Sequence, residues 1–367
     1  SMEDKKIKKI LIICPFPEGQ AAGQRLKYEQ FFDHWRENGY DIQISSFMDE
    51  EMWAIVYTKG NYFKKVIGTL KGYVRRVRDI LRLKNFDVVY VFMWVTPLGT
   101  SFFERIFRKL STQIVYDIED NALLPQSNTL NPLIKLFKGV GKIEFLIKQA
   151  NHVITSSPFL NEDCLNLNKY KSCTFISDAI DIDRYSPNNT YSNDSTVVIG
   201  WTGTFSSSMY LDLLRNVFLK LNKKINFKLR IIGNFEYSIP GIDLEVIQWT
   251  KDREIEDLQG IDIGIYPLTQ DEWVLGKSGL KAIQYMALGI PTVATDVGTN
   301  PRIIRHMDNG WLVKTEQDWI FALESLINSQ ELRAKIGINA RDRIVENYSL
   351  EATKDKYLSI LNRLTLK

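Results

Sequence analysis

The chain has 367 residues, 44% of them hydrophobic and 25% charged, with a formal net charge of +3. That length exceeds a single hydrophobic core and fits two α/β domains of about 150–200 residues each. The composition is that of an ordinary globular protein, and so small a net charge excludes nucleic acid as an expected partner.

Three cysteines, Cys14, Cys164 and Cys173, show neither CxxC nor metal spacing, and their odd number argues against a disulfide framework. A reducing compartment is the simpler reading. The three histidines, His34, His152 and His306, are not paired at ligand spacing, so no metal site is expected. No run approaches eighteen apolar residues, and the charged amino end (Glu3-Asp4-Lys5-Lys6) lacks a signal-peptide pattern, so a cytoplasmic location is expected. The sequons at Asn188, Asn193 and Asn347 then carry no glycan, and the leading Ser-Met reads as a cloning remnant.

In chain order, Ile10–Cys14 is an apolar run ending at Pro15 and Pro17, the look of a parallel strand buried on both faces. After a small-residue loop from Glu18 to Gly23, helical spacing of Leu26, Phe31, Phe32 and Trp35 predicts a helix over Gln24–Asn38 that stops at Gly39. Further strands are predicted at Asp41–Phe47, Val88–Phe92, Gln113–Tyr116 and His152–Thr155, with helices between them. The polar, turn-rich stretch 185–195 reads as a linker. A second series follows, with strands at Val197–Gly200, Lys228–Gly233, Leu244–Ile247, Ile261–Tyr266 and Thr292–Ala294. Helices are predicted at Gln317–Ile327, Gln330–Asn347 and Leu350–Leu364. Such alternation implies right-handed crossovers and two doubly wound, Rossmann-like sheets, whose ligands bind beyond the strands' carboxyl ends in a central cleft.

Gly276 to Thr295 is the most informative stretch. It reads as a small-residue loop, then a helix with Ile283, Met286 and Ala287 on one face, then a Gly-Pro turn into a buried strand. Lys277 and Lys281 fall four residues apart on the predicted first turn. Cations usually avoid that positive end, so two of them suit a site completed by a diphosphate, with a solvated lysine pair as the plain alternative. A second small-residue loop, Gly200-Trp201-Thr202-Gly203-Thr204, is neither a GxGxxG nor a Walker sequence.

With these features the chain resembles the GT-B glycosyltransferases of family GT4, the group 1 glycosyltransferases. The resemblance runs through the amino loop, Asp181-Ile182-Asp183-Arg184-Tyr185, Asn309-Gly310-Trp311-Leu312-Val313 and, most strongly, Gln284-Tyr285-Met286-Ala287-Leu288-Gly289-Ile290-Pro291-Thr292-Val293-Ala294-Thr295. The last segment is similar to that family's E-A-M-A-x-G-x-P-V-V-A-T. Where such enzymes carry two donor-holding glutamates, this chain has Gly276 and Gln284, as in a subgroup reading G-K-x-G-x-K-x-x-Q-Y-M-A. Glu119, in Tyr116-Asp117-Ile118-Glu119-Asp120, stands near the place of the family's usual histidine.

The resemblance implies a retaining, metal-independent transfer from a nucleotide sugar, UDP- or GDP-linked, to a glycan or lipid-linked acceptor in bacterial surface glycoconjugate assembly. It implies an acceptor-side domain over 1–184, a linker over 185–195, a donor domain over 196–349, and a helix over 350–367 returning to the first domain. Lys277 and Lys281, with the amides of Ser278 and Gly279 and the Gly203-Thr204 loop, are expected on the diphosphate. Gln284 is expected on the ribose, and Trp249 either at the base or in plain packing. Glu119 and Asp120 are the expected catalytic carboxylates, with Asp117, Gly23 and Arg25 on the acceptor side. The alternatives are a GT-B sugar-nucleotide epimerase or hydrolase, and a catalytically silent nucleotide-sugar-binding protein.

Between Lys59 and Lys84 lie nine basic residues and one acid, Asp79, interleaved with apolar residues at helical spacing. A basic amphipathic helix of this kind suits the anionic inner face of a membrane. The alternative is a helix whose apolar side packs on the first domain.

Overall fold

The computed structural model describes residues 6–119, 140–188 and 196–366; Asp120, Asn193 and the expected linker beyond Asn188 lie outside them. The chain divides into two compact units. The first comprises Ser1–Ser177, Gly276–Ser278 and Thr353–Lys367, and the second Asp178–Leu275 and Gly279–Ala352.

The first unit is built on a six-stranded parallel sheet of order β2-β1-β3-β4-β5-β6. Its strands are β1 Lys8–Cys14, β2 Tyr40–Ser46, β3 Val88–Phe92, β4 Ile114–Ile118, β5 His152–Thr155 and β6 Cys173–Phe175. Leu11, Ile13, Val89, Val91 and Tyr116 pack on one face with Phe107, Leu146 and Leu160. On the other face Tyr90 meets Tyr28 and Trp35, and Trp35 meets Tyr357 of the carboxy-terminal helix Leu350–Thr365. Burial on both sides is why Ile10–Cys14 of β1 and the whole of β3 read as unbroken apolar runs.

The second unit repeats the scheme with order β12-β11-β10-β7-β8-β9. These strands are β7 Val198–Thr202, β8 Lys228–Gly233, β9 Leu244–Gln248, β10 Ile263–Tyr266, β11 Thr292–Thr295 and β12 Trp311–Val313. Ile199, Trp201, Ile231, Ile263 and Val293 face the helices Arg215–Asn222 and Glu316–Asn328. The opposite face receives Leu280–Ala287 and, through Ala340 and Ile344, Gln330–Asn347. A capping box of Thr315 and Asp318 starts the Glu316–Asn328 helix, and the Ser329 hydroxyl caps the next. The three-residue strands β6 and β12 were not anticipated, since three residues show no usable periodicity.

Two boundaries differ from the sequence expectation. The division falls after Ser177 rather than at residue 184, because Ile180 donates its amide to the Tyr348 carbonyl (2.9 Å) and Tyr185 is buried in the second unit. The helix expected over Gln24–Asn38 is broken into Ala22–Arg25, a 3₁₀ turn at Tyr28–Phe31, and Phe32–Glu37. Lys27, at the break, leaves helical geometry (φ −117°, ψ −113°).

The basic stretch, for which both an outward and a packed apolar side were open, forms the helix Tyr62–Ile80 with the side opposite its apolar stripe inward. Gly68, Gly72, Arg76 and Asp79 are buried, while Phe63, Val66, Leu70, Val74 and Val77 are exposed. A Cβ at Gly68 would lie 2.7 Å from Met52 Sδ, and one at Gly72 2.5 Å from the Phe47 ring, so these glycines let the helix approach closely. Arg76 donates to the carbonyls of Cys14, Ser45 and Val95 and pairs with Asp79 (3.1 Å). Burying one such apolar side chain is worth about 1.5–3 kcal/mol, so the outward stripe forgoes a large gain that the polar inner seam must offset. Of the apolar residues of this helix, Tyr73 and Ile80 pack on the domain, while the stripe Phe63, Val66, Leu70, Val74 and Val77 does not.

His152 on β5 hydrogen-bonds Thr174 (2.8 Å) and Ser172 (2.6 Å) and lies 3.0 Å from Arg363. Since Arg363 can only donate, the ring's Nδ1 accepts. Burial, reinforced by Arg363, pushes its pKa down to about 4. Below the ordinary value near 6.5 the unfolded chain takes a proton that the native ring refuses. This contribution is therefore intact above pH 6.5 and is lost as pH falls toward 4, by about 1.4 kcal/mol per pH unit. Urea unfolding at stepped pH should show His152→Gln less acid-sensitive than wild type across that window; parallel profiles would refute the assignment.

Candidate active site

In the second unit, the loop after β7 carries the Gly203-Thr204 pair. The Gly203 amide donates to Ile232 of β8 (3.0 Å), the Thr204 amide to Ser207 Oγ (3.1 Å), and the Phe205 amide to Asn234 Oδ1 (3.0 Å). A Cβ at Gly203 would lie 2.3 Å from the Trp201 ring, so only glycine lets the loop fold over that indole. Lys281 enters from the helix Leu280–Ala287. Its Nζ lies 4.6 Å from the Trp201 ring centroid, 5.7 Å from that of Tyr266, and 3.4 Å from Ser207 Oγ. Two aromatic faces thus hold an ammonium group beside the Gly203-Thr204 loop. The Trp201 indole N–H is buried and finds no hydrogen-bond partner among the described residues.

The structure does not bring every expected donor residue to this point. Lys277 is not on the helix: Gly276–Ser278 groups with the first unit, and the helix begins at Leu280 behind Gly279. Gly279 takes a left-handed conformation (φ +80°), and a Cβ there would lie 2.5 Å from Ile303. Glycine at this helix start therefore has a steric cause. Gln284 faces the interior, donating to Glu254 Oε1 (2.9 Å) and the Tyr185 hydroxyl (3.3 Å). Its amide nitrogen is engaged within the fold. Trp249 follows β9, is 38% exposed, and donates its amide to Gly233 (2.9 Å).

In the first unit, Gln24 folds back on Phe16, donating to its carbonyl (2.9 Å) and accepting from its amide (3.1 Å). Glu29 accepts from the Gly19 amide (2.9 Å) and from Gln24 (3.1 Å), which closes the small-residue loop. At the carboxyl end of β4, Asp117 is fully buried, ion-paired with Lys27 and accepting from the Tyr90 hydroxyl. Burial raises its carboxyl above the usual range, and Lys27 and Tyr90 oppose that rise. Its neighbours hold Asp117 inside the fold, which makes it a positioning group in place of the expected acceptor contact.

Glu119, two residues on, is partly exposed, and its Oε1 lies 4.0 Å from Lys27 Nζ. A Cβ at Gly23 would lie 2.8 Å from Glu119 Oε2, so the amino loop and this carboxylate meet only because residue 23 is glycine. Arg25, on the short helix beside them, is largely buried (9% exposed). Glu119, Gly23 and Arg25 therefore belong to one region of the first unit, and Asp120 lies outside the described residues. Among the described residues, no three His, Cys, Asp or Glu side chains converge as a metal site.

Residues 186–343 match the family model described as glycosyl transferases group 1. That stretch is similar to the group 1 glycosyltransferases. It covers most of the second unit, including the Lys281 site. The D-inositol 3-phosphate glycosyltransferase of Rhodococcus erythropolis is 39% identical over 82 residues, 22% of this chain and 18% of that protein. The chain spans about a fifth to a third of the length of the curated relatives it matches.

Over the whole chain the fold is similar to that of a sucrose-phosphate synthase from Thermosynechococcus elongatus. The TM-score is 0.71, over 98% of this chain and 99% of that one, at 14% identity. The Anabaena protein HepE, crystallised with UDP-glucose, gives 0.67 over 97% and 99%, at 13% identity. The stretch similar to the group 1 glycosyltransferases therefore sits in a GT-B fold of two Rossmann-like units.

The sequence reading missed Lys27, Tyr90, Trp201, Tyr266, Glu254 and Tyr185. One signal was available: an aspartate inside the apolar run Ile114–Ile118 demands a buried cation. Lys27→Met should destabilise the first unit by about 3–5 kcal/mol by stranding Asp117, and adding Asp117→Asn should restore a large part. Urea unfolding of both variants checks this; equal losses in single and double variant would show the pair to be uncoupled.

Proposed function

We propose that the protein is a retaining, metal-independent glycosyltransferase that moves a sugar from a nucleotide-sugar donor to a glycan or lipid-linked acceptor. The observation that carries this reading is the Lys281 ammonium over Trp201 and Tyr266, beside the glycine-containing loop of a stretch similar to the group 1 glycosyltransferases.

Glycosyl transfer passes through an oxocarbenium-like state while a nucleoside diphosphate departs. The leaving group needs positive charge already in place, since preorganised charge requires no reorganisation at the moment of reaction. Lys281 supplies that charge from a packed helix, while exposed Thr204 lies in a loop able to border the phosphates. Lys277, Ser278 and Gly279 are proposed to complete the phosphate contacts, with Gln284 on the ribose side. Trp249 is assigned to the base.

On the acceptor side, Glu119 is assigned the role of engaging a hydroxyl, with Asp120 beside it, Arg25 and Gly23 shaping the loop, and Asp117 holding Lys27 in place. A UDP sugar is the first donor to test, because the similarly folded HepE was crystallised with UDP-glucose. The acceptor reading places the enzyme in the cytoplasm, working on bacterial surface glycoconjugates at the inner face of the membrane.

Lys281→Ala should lower the rate of sugar transfer by about a hundredfold or more and reduce the thermal shift produced by UDP. Turnover within about threefold of wild type would remove Lys281 from the mechanism. Product analysis with a labelled donor separates the alternatives: sugar found only free or epimerised would replace transfer by hydrolysis or isomerisation.

A further inference from the structure

We propose that the outward side of the Tyr62–Ile80 helix is a docking surface for an anionic phospholipid membrane, on which the helix lies flat. Phe63, Val66, Leu70, Val74 and Val77 recur at intervals of three and four and are each at least half exposed, from 50% at Val77 to 78% at Phe63. On a helix these positions form one stripe about 21 Å long, opposite the buried Gly68, Gly72 and Arg76.

Lys64, Lys71 and Arg78 are also exposed and follow one another at seven-residue intervals. That spacing advances almost two whole turns, so the three cations line a single flank of the stripe. The same flank opens on a concavity of about 520 Å³ lined by Arg75, Arg78 and Arg82 together with Asp79, and Arg75 pairs with Asp49 (3.2 Å). Asp79, the only acid between Lys59 and Lys84, is turned inward, where it accepts from Ser45 (2.6 Å) and pairs with Arg76 and Arg82. The exposed surface therefore combines apolar side chains with an excess of positive charge, carried by Lys64, Lys71 and Arg78.

Each feature narrows the occupant. A second copy of this face would set one cationic flank against another, which charge repulsion disfavours. An anionic bilayer takes both halves at once: the stripe enters the headgroup–acyl boundary, and the cations reach lipid phosphates at its edge. Among the described residues no helix is long and apolar enough to cross a membrane, so the contact is with the interface. This inference goes beyond the transfer reaction and holds or fails without it.

Co-sedimentation of the full chain with vesicles tests it, using pure phosphatidylcholine and phosphatidylcholine containing about one quarter phosphatidylglycerol. Wild type should pellet with the anionic vesicles, and raised salt should release it. Lys64→Glu combined with Lys71→Glu and Arg78→Glu should weaken partitioning about a hundredfold or more, since each near-surface cation is worth roughly fivefold. Leu70→Ser with Val74→Ser should weaken it about tenfold or more. All five positions are exposed, and far-UV circular dichroism verifies folding. Absence of wild-type binding, equal binding to neutral vesicles, or unchanged binding by both variants would overturn the proposal. So would a concentration-dependent dimer abolished by the serine pair, which would make the face a contact between copies. Vesicle binding needs no donor, so this outcome is independent of the Lys281 test.

Discussion

Charge placed where water cannot reach it must be matched by the fold, and this constraint organises both units. Asp117 at the end of an apolar strand is matched by Lys27 and Tyr90, and Lys27 stands outside helical geometry. The break in the amino-terminal helix thus falls at the residue that serves the buried carboxylate. The same break leaves Glu119, two residues beyond, beside Gly23 and within reach of the lysine. In the second unit the ammonium of Lys281 is matched by aromatic faces and a hydroxyl. The two lysines are held by different chemistry, one by a buried carboxylate and one by π-faces.

The inverted helix follows the same rule with a guanidinium. Arg76 is fully buried, and burial lowers its pKa against the pull of Asp79. It remains acceptable there because the carbonyls of Cys14, Ser45 and Val95 accept from it and Asp79 balances it. Two glycines without side chains let the helix come near enough for those contacts. The polar inner seam fixes the helix rotation, and the apolar residues are left outside as a result.

Much of the architecture was legible before the structure. Continuous apolar runs gave β1, β3, β5, β8 and β11 within a residue or two, because strands buried on both faces have no polar alternation to confuse. The Glu316–Asn328 and Gln330–Asn347 helices were legible from periodicity and capping residues. The Gly203-Thr204 loop and Lys281 were also recoverable, since small residues after a strand and a lysine at a helix start carry local meaning. The Tyr62–Ile80 helix was legible as a helix and as amphipathic, but its hydrophobic pattern says only that one side differs from the other. Which side the domain takes depends on Phe47, Met52 and Ser45, supplied by other elements.

The amino-acid order by itself determined two alternating α/β series, a parallel sheet in each, and a glycine- and lysine-bearing segment before the strand Thr292–Thr295, because these are properties of short stretches. Tertiary structure alone decided that Lys281 stands over Trp201, that Gln284 turns inward to Glu254, that Lys277 falls off the helix, and that Lys27 serves Asp117 ninety residues away. The physical reason is that a side chain's role follows from the partner that neutralises or packs against it. In a doubly wound sheet that partner comes from a strand or loop remote in sequence.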